Sequence, residues 1–440
     1  MPRVSAETHA THVEKNGAAT PPRRGRRWLR FLTAFGIFLL LLSLLATWLL
    51  QPKQLVPLML DRSGKILGLE ITADAGAEAR LRGEPQLIVR NLVAREPGAK
   101  TAILRAERLL LALPWSSLRS GGKDPVIKRV ELDAPVLDLP ALQAWLSQRP
   151  PDEDTKIPTL TDGLRVVNGR INNNNNNNDW RIENIEVRLS SLHSDQPVDA
   201  RIKGRYVDAS TAIPFDLAVA LTKPAKNAGF AVVGAIAIER GDWRLPATVK
   251  LSGPLHLGDG DVTLTPAKLG ISARYESGET TLPFSLGLHG PLRFDQDTWV
   301  LAPVGVALRG DAPMPNFDAY GALALGRRLV IELDGALPQW PSSWPVLPAP
   351  VSRSTSPLPF TLRYTGQSDL SDIAGLRLRR DSTEFDSHFR LYDVLGWIDQ
   401  AGGSPLPPLD GRVRSPQLEI SGAMLEGVDI VLDDEDVDSP

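Results

Sequence analysis

The side chains with the greatest chemical reach in this sequence are scattered. His193, His256, His289 and His388 stand far apart, so a four-histidine metal centre would have to be assembled wholly by folding. Asp259 and Asp261, and the run Asp433-Asp434-Glu435-Asp436-Val437-Asp438, offer carboxylates to a hard cation. Such an ion needs about six oxygens held in place, and a terminal acidic run is ordinarily solvated. Arg62-Ser63-Gly64-Lys65 and Ser120-Gly121-Gly122-Lys123 contain Gly-Lys pairs, without the earlier glycine and following Ser/Thr of a phosphate loop, and read as turns. No H-E-x-x-H, G-x-S-x-G or dinucleotide fingerprint occurs. The absence of cysteine removes thiolate nucleophiles, thiolate metal sites and disulfides together. A glycosidase-like carboxylate pair has no distinctive spacing here. The residues name no catalytic, cofactor-binding or metal set, and the reading is of a non-enzymatic protein.

The elements around these residues belong to an ordinary globular composition: 440 residues, 42% hydrophobic and 23% charged. A formal net charge of −3 argues against a nucleic-acid binder, which usually carries a basic face. Phe31–Leu50 is an uncharged, Leu-rich run of twenty residues, about 30 Å as a helix and long enough to cross a bilayer. Trp28 and Trp48 flank it, and Arg23, Arg24, Arg26, Arg27 and Arg30 precede it. The positive-inside bias places residues 1–30 in the cytoplasm as a basic tail and the bulk of the chain across the membrane. The run is too long for a signal-peptide core, and Ala46-Thr47-Trp48 is a poor cleavage site, so an uncleaved single-pass anchor is expected.

Beyond the anchor the dominant period is two. Ile213, Phe215, Leu217, Val219 and Leu221 alternate with Pro214, Asp216, Ala218 and Ala220, as in a half-buried strand. The same alternation recurs at Val249/Leu251, Phe284/Leu286/Leu288, Leu329/Ile331/Leu333, Phe360/Leu362/Tyr364 and Val428/Ile430/Leu432. Trp180 and Ile182 lie on even positions, Ile185, Val187 and Leu189 on odd ones. Keeping one face through that slip requires a bulge near Glu183–Asn184. Gly253-Pro254-Leu255 and Gly290-Pro291-Leu292 suggest a loose repeat of hairpins. Asn172–Asn178, seven asparagines in succession, reads as a tolerant hairpin loop. The proline-rich stretch 338–359 is the one convincing linker, because proline denies a sheet its N–H donors. Short helices are expected at Val56–Ser63 and Leu139–Gln148, and a longer one at Ser382–Ala401 on the spacing of Leu391, Val394, Leu395 and Ile398.

These readings sum to a mostly β chain: an extended, curved antiparallel sheet, either an open groove or an elongated sandwich, with few short helices and one N-terminal transmembrane helix. The expected divisions are a tail at 1–30, the anchor at 31–50, a β region at 51–337, a linker at 338–359, a C-terminal β segment at 360–432 containing helix 382–401, and an acidic tail at 433–440.

The order of elements resembles the AsmA family of envelope proteins of diderm bacteria. The resemblance is carried by the anchor with Val56–Leu69, which includes Ser63-Gly64-Lys65-Ile66-Leu67, by Ile127–Leu139, by Val167-Asn168-Gly169-Arg170-Ile171 with Asn184-Ile185, and by Leu418–Val428. It spans about a third of the chain. The resemblance implies an inner-membrane protein whose β-rich periplasmic part is related to bridge-like lipid-transfer proteins and tied to phospholipid traffic and outer-membrane homeostasis. On that reading Phe215, Leu217, Val219, Phe284, Leu286, Phe360 and Leu362 face a groove that takes phospholipid acyl chains. About fifteen strands would give a groove of about 70 Å. The competing expectation is a bitopic scaffold that assists outer-membrane protein assembly or a secretion machine through protein partners and strand-edge pairing.

Overall fold

A computed structural model of the chain describes residues 68–433, apart from 75–77, 81–82, 120–125, 149–158, 176–177, 259–260, 296–297, 345–346, 348, 350, 392, 395–407 and 421. The described residues all belong to one compact unit within Met59–Pro440. The expected anchor at 31–50 and the short helix at Val56–Ser63 lie outside the described residues. Among those described, no helix is long and apolar enough to cross a membrane.

Alternating sequence becomes a single large sheet. At its beginning β1 (Glu70–Thr72) and β2 (Glu78–Arg80) both pair with β3 (Gln86–Arg95), which pairs with β4 (Ala102–Ala112). After the one-turn helix α1 (Trp115–Arg119) come β5 (Val126–Ile127), then β6 (Arg129–Asp133) and β7 (Val136–Asp138), the last two antiparallel to β4. Helix α2 (Leu139–Ser147) forms where expected, its first turn capped by Asp138, which accepts from the Ala141 amide at 3.0 Å. β8 (Thr159–Leu160) pairs with β5 as a separate two-stranded sheet. The crossover through α2 then lays β9 (Leu164–Asn175) parallel to β6 and β7.

From β9 onward the sheet is a meander, each strand antiparallel to the one before. In order these are β10 (Asn178–Leu189), β11 (Val198–Val207), β12 (Thr211–Leu221), β13 (Asn227–Arg240) and β14 (Trp243–Leu257). There follow β15 (Val262–Ser277), β16 (Thr280–Asp295), β17 (Thr298–Gly310), β18 (Phe317–Leu325) and β19 (Leu329–Leu337). The series ends with β20 (Leu358–Gly366), β21 (Ile373–Arg380), β22 (Thr383–Arg390), β23 (Asp410–Ile420) and β24 (Ala423–Leu432). Twenty-two strands share this sheet, and among the described residues the only other is the β5–β8 pair. A single curved sheet has formed, not a sandwich. Its twenty ladder positions, at a strand spacing of about 4.8 Å, extend over about 90 Å.

The bulge required near Glu183–Asn184 is present. The β10 register shifts between Ile182 and Ile185, and Asn184 takes the left-handed conformation at φ 54°. Asn168 in β9 (φ 53°) and Ala134 between β6 and β7 (φ 46°) do the same at the matching level, so neighbouring strands re-phase together and keep their faces. The asparagine run, expected as a loop, is strand where it is described: Asn172–Asn175 close β9 and Asn178, opposite Asn175, opens β10.

The helix expected over Ser382–Ala401 does not begin there. Thr383–Arg390 is β22, paired along its length with β21, and Asp381 sits at φ 54° in the intervening turn. The period-two set Thr383, Phe385, Ser387 and Phe389 outweighs the helical spacing, which starts only at Leu391. Residues 395–401 of that expected helix lie outside those described.

The sheet also continues past the proline-rich segment. β19 and β20 lie side by side, Leu337 opposite Leu358, so residues 338–357 form an excursion from one strand end. Trp340 and Leu347 from this excursion pack on the sheet's apolar core. Trp344 Nε1 donates to the Pro313 carbonyl at 2.7 Å. The buried Arg380 guanidinium donates to the carbonyls of Val351, Ser354 and Ser356, at 2.9, 3.3 and 2.5 Å. These bonds occupy Arg380 Nη1 and Nη2, satisfying most of a charge that burial would otherwise penalise.

Candidate functional site

Strand pairing decides which side chains share a face, since directly opposed residues point the same way. Starting at Leu87 in β3 and stepping from partner to partner, one transverse row runs Leu87, Leu111, Val130, Leu164, Leu189, Ala200, Val219, Val232, Leu251 and Leu269. It continues Leu288, Val306, Ala319, Gly335, Phe360, Leu378, Phe385, Val413 and Ile430. Nineteen strands contribute, and none supplies a polar side chain.

The seven residues singled out in the sequence all fall on this face. Val219 and Phe360 belong to the row itself. Leu217 and Leu286 share the neighbouring row through Gly234, Val249 and Ile271, and Phe215 joins Phe284 through Ile236, Ala247 and Ala273. Leu362 lies opposite Leu333 on the other side of Phe360. The seven differ in surroundings. Phe360 is only 7% exposed and belongs to the core cluster with Val304, Leu333 and Leu358, on which Leu286 and Leu362 also pack. Phe215, Leu217, Val219 and Phe284 are half-buried. The face is thus filled across β17–β21 and more open across β11–β16.

Two glycines explain how large rings fit there. A Cβ on Gly204 would lie 2.7 Å from the Phe215 ring, and one on Gly335 would lie 2.7 Å from the Phe360 ring. Bare backbone lets each ring fold over the adjoining strand. Phe317 meets Phe360 edge-on with ring centres 5.1 Å apart.

The curvature has a direction. Arg240 closes β13 opposite Thr211 and Trp243, on the same face as Phe215 and Ile236. Its guanidinium donates to Asp369 in the β20–β21 connection at 2.9 Å, the two side chains being 30% and 29% exposed. Those two connections lie at opposite strand ends, seven ladder steps apart. At about 20–25° of twist per step the strands turn through about 140–175°, which brings opposite ends together. A side chain on the apolar face reaching that turn requires the sheet to curl toward this face, so the apolar face is the inner one. Burial raises the proton affinity of Asp369, but bonds from Ser371 and Arg240 outweigh it and the carboxyl lies below its usual range.

The outer face is polar and paired. Arg201 binds Asp216 through two bonds of 2.8 Å, Arg309 binds Asp318 at 2.7 and 2.9 Å, and Arg363 reaches Asp334 at 3.1 Å. Arg377–Asp386, Arg379–Glu384 and Arg412–Asp429 extend the series. The Arg201 bond, with help from Lys203, holds the Asp216 carboxyl down at about 2. The other carboxyls whose affinity is displaced, Glu70, Asp334, Glu384 and Asp429, are likewise lowered, by Arg95, by Thr361 with Arg363, by Arg379 and by Arg412. Among the described residues no three His, Asp or Glu side chains gather in a group that could hold a metal ion.

Sequence reading passed over part of the inner face: Phe230, Val232, Ile236, Leu245 and Ile271 share it, and Trp340 and Leu347 come to it from the proline-rich segment. The alternation of Phe230–Ile238 carried the same period-two signal as β12. The packing of Trp340 and Leu347 had none, because nothing local marks a loop residue for a distant core. Comparison with protein-family models, with curated proteins and with solved structures finds no match in any of the three.

Proposed function

We propose that the inner face takes up the acyl chains of phospholipid, and that the protein is a non-enzymatic, membrane-anchored carrier or conduit supporting outer-membrane homeostasis. The observation that carries this reading is the row of nineteen consecutive strands without a polar side chain, half-buried across β11–β16. A hydrocarbon chain laid against it gains about 0.8 kcal/mol per methylene removed from water, so four methylenes contribute about 3 kcal/mol without any charged contact. A continuous row suits a ligand that slides, since no position along it offers a polar group that would hold one. The uncharged run at 31–50, preceded by arginines, supports single-pass insertion in the inner membrane with a cytoplasmic N-terminus and the sheet in the periplasm.

A second reading, a scaffold that pairs with envelope proteins, rests on β24. That strand has β23 as its one partner among the described residues, and its Met424 and Val431 are 57% and 67% exposed. A ten-residue edge of this kind can template another strand.

Residue parity separates the two. A photoreactive benzoylphenylalanine placed singly at Leu217, Ala218, Val219 and Ala220 of the full chain in its native membrane samples both faces of β12. Lipid adducts, read by mass spectrometry, are expected at 217 and 219 and not at 218 and 220. Equal lipid labelling at all four, or none, removes the lipid reading, and protein adducts confined to β24 put the scaffold in its place.

A further inference from the structure

β19 and β20 pair to their last residues, Leu337 opposite Leu358, so the sheet closes there without the twenty residues 338–357. A hairpin turn needs about two to five residues, and a connection as long as this one is ordinarily functional. It folds back over the inner face as a strap. Trp340 and Leu347 lie on the cluster of Val304, Leu333, Leu337 and Phe360, where an acyl chain laid along β11–β16 would continue. Val351, in the short 3-10 turn Val351–Arg353, is 8% exposed. The polar fastenings are local. The Glu419 amide donates to the Ala349 carbonyl at 2.8 Å, Arg353 pairs with the Glu419 carboxylate, and the carbonyls of Val351, Ser354 and Ser356 converge on Arg380.

Arg380 stands out among these fastenings. It projects on the apolar face two residues beyond Leu378 and is itself only 8% exposed. Its partners are carbonyls, with no carboxylate in ion-pair reach among the described residues, and its Nε is buried without a hydrogen-bond partner. Carbonyl dipoles satisfy Nη1 and Nη2 but leave the positive charge unneutralised, which is costly in an apolar setting. Opposite it on the next strand stands Thr383, whose hydroxyl is 2.8 Å from that of Ser415. Where this fold makes a fastening across the sheet with a carboxylate, as between Arg240 and Asp369, the charge is answered. At Arg380 it is held by exchangeable oxygens and stays available to an anion.

Acceptor oxygens gathered on a guanidinium, beside apolar side chains laid on an apolar face, reproduce the parts of a phospholipid. We propose that the strap occupies the place of a phospholipid and is displaced by one, the lipid's phosphate taking Arg380 from the carbonyls and its acyl chains taking the positions of Trp340 and Leu347. This rests on the lipid reading above and adds to it a headgroup site and a cover. A phosphodiester brings the single negative charge that Arg380 lacks, and a guanidinium binds two phosphate oxygens side by side. The strap thereby keeps β17–β21 covered while no lipid is present, and Arg380 gives a ligand sliding along the neighbouring row a place to stop.

Val351→Cys places the only thiol of the chain in the buried part of the strap, and its rate of maleimide labelling reads lifting. The full chain in an uncharged detergent is labelled alone, with short-chain phosphatidylglycerol, and with short-chain diacylglycerol. A lipid that binds only the lifted state, at about ten times its dissociation constant, raises that state and the labelling rate about tenfold. That rise is expected with the phospholipid and not with diacylglycerol. Val89→Cys, in the fully buried part of β3, is expected to stay slow throughout, which separates lifting from general loosening. Arg380→Lys keeps the charge but loses the planar fork, and is expected to speed labelling of Val351→Cys without lipid about tenfold. Labelling unmoved by phospholipid, while lipid adducts still form at Leu217 and Val219, overturns the strap and leaves the lipid reading standing. An equal response to diacylglycerol, or labelling of the Arg380→Lys protein at the parent rate, overturns the site at Arg380. Absence of adducts at Leu217 and Val219 removes the lipid reading, and this inference with it.

Discussion

Aspartate placed at two positions of the inner face tests whether that face is open at one end and filled at the other. Leu217 is half-buried, with Ile202 and Gly234 as its cross-strand partners and no charge opposite it. Leu217→Asp forfeits part of the roughly 1.5–3 kcal/mol that burying a leucine contributes, while the carboxylate keeps its water, so the cost is about 1.5–2 kcal/mol. Leu333 is 5% exposed and lies within the cluster of Leu301, Val304, Leu337 and Phe360. Removing it costs about 2–5 kcal/mol in lost transfer and cavity. Burying a carboxylate among those side chains adds several kcal/mol more, which takes the total beyond about 5 kcal/mol. Urea unfolding followed by tryptophan fluorescence reads both. At a slope of about 3 kcal/mol per molar, Leu217→Asp moves the midpoint by about 0.6 M. Leu333→Asp yields little folded protein. Acyl-chain binding, by contrast, is lost in the Leu217 variant although it folds. Equal destabilisation at the two positions would refute the distinction between an open and a filled stretch, and with it the space assigned to lipid.

Three further outcomes follow from the geometry. Arg201→Ala removes the bidentate partner of Asp216, so the carboxyl midpoint in a carbon-13 titration rises from about 2 toward the ordinary range. Because that affinity is lowered in the folded state, the pair's contribution is complete above the ordinary carboxylate range and fades as pH falls through about 2; exposure keeps it below about 1 kcal/mol. Gly335→Ala drives a Cβ to 2.6 Å from the Asp318 carbonyl and 2.7 Å from the Phe360 ring, and is expected to destabilise by about 1–3 kcal/mol, against an unchanged or improved midpoint for Gly270→Ala. The chain has no cysteine, so Arg240→Cys with Asp369→Cys introduces the only two thiols; a short bis-maleimide is expected to join them within one chain, and a failure to do so would show that the sheet does not curl inward.

Much of this architecture was legible in the sequence because its signals are local. A period of two assigns a face without knowledge of the partner strand, and the slip from Ile182 to Ile185 announced its bulge because the faces could not otherwise agree. What escaped was set by distant partners. Thr383–Arg390 was drawn into a helical reading by Leu391 and Val394, and only its pairing with β21 shows that alternation governs it. The proline-rich segment reads as a break until Arg380, more than twenty residues on, is seen holding its carbonyls. The difference between open and filled stretches of the inner face was invisible for the same reason, since Leu217 and Leu333 sit in similar alternation and differ only in what curls over them.

The pairing of each strand with its immediate predecessor from β9 to β24 has a consequence for the length of the protein. A hairpin adds two ladder positions, about 10 Å, and returns the chain to the same end of the sheet in the same direction. Removing Val262–Asp295, the hairpin β15–β16, would set β14 beside β17 with antiparallel sense preserved, and Leu251 would meet Val306 where each now meets Leu269 and Leu288. Reach across a gap is therefore adjustable in steps of one hairpin, with both faces conserved at every step. A fold of this kind can be lengthened or shortened by duplication and deletion without redesign of its core.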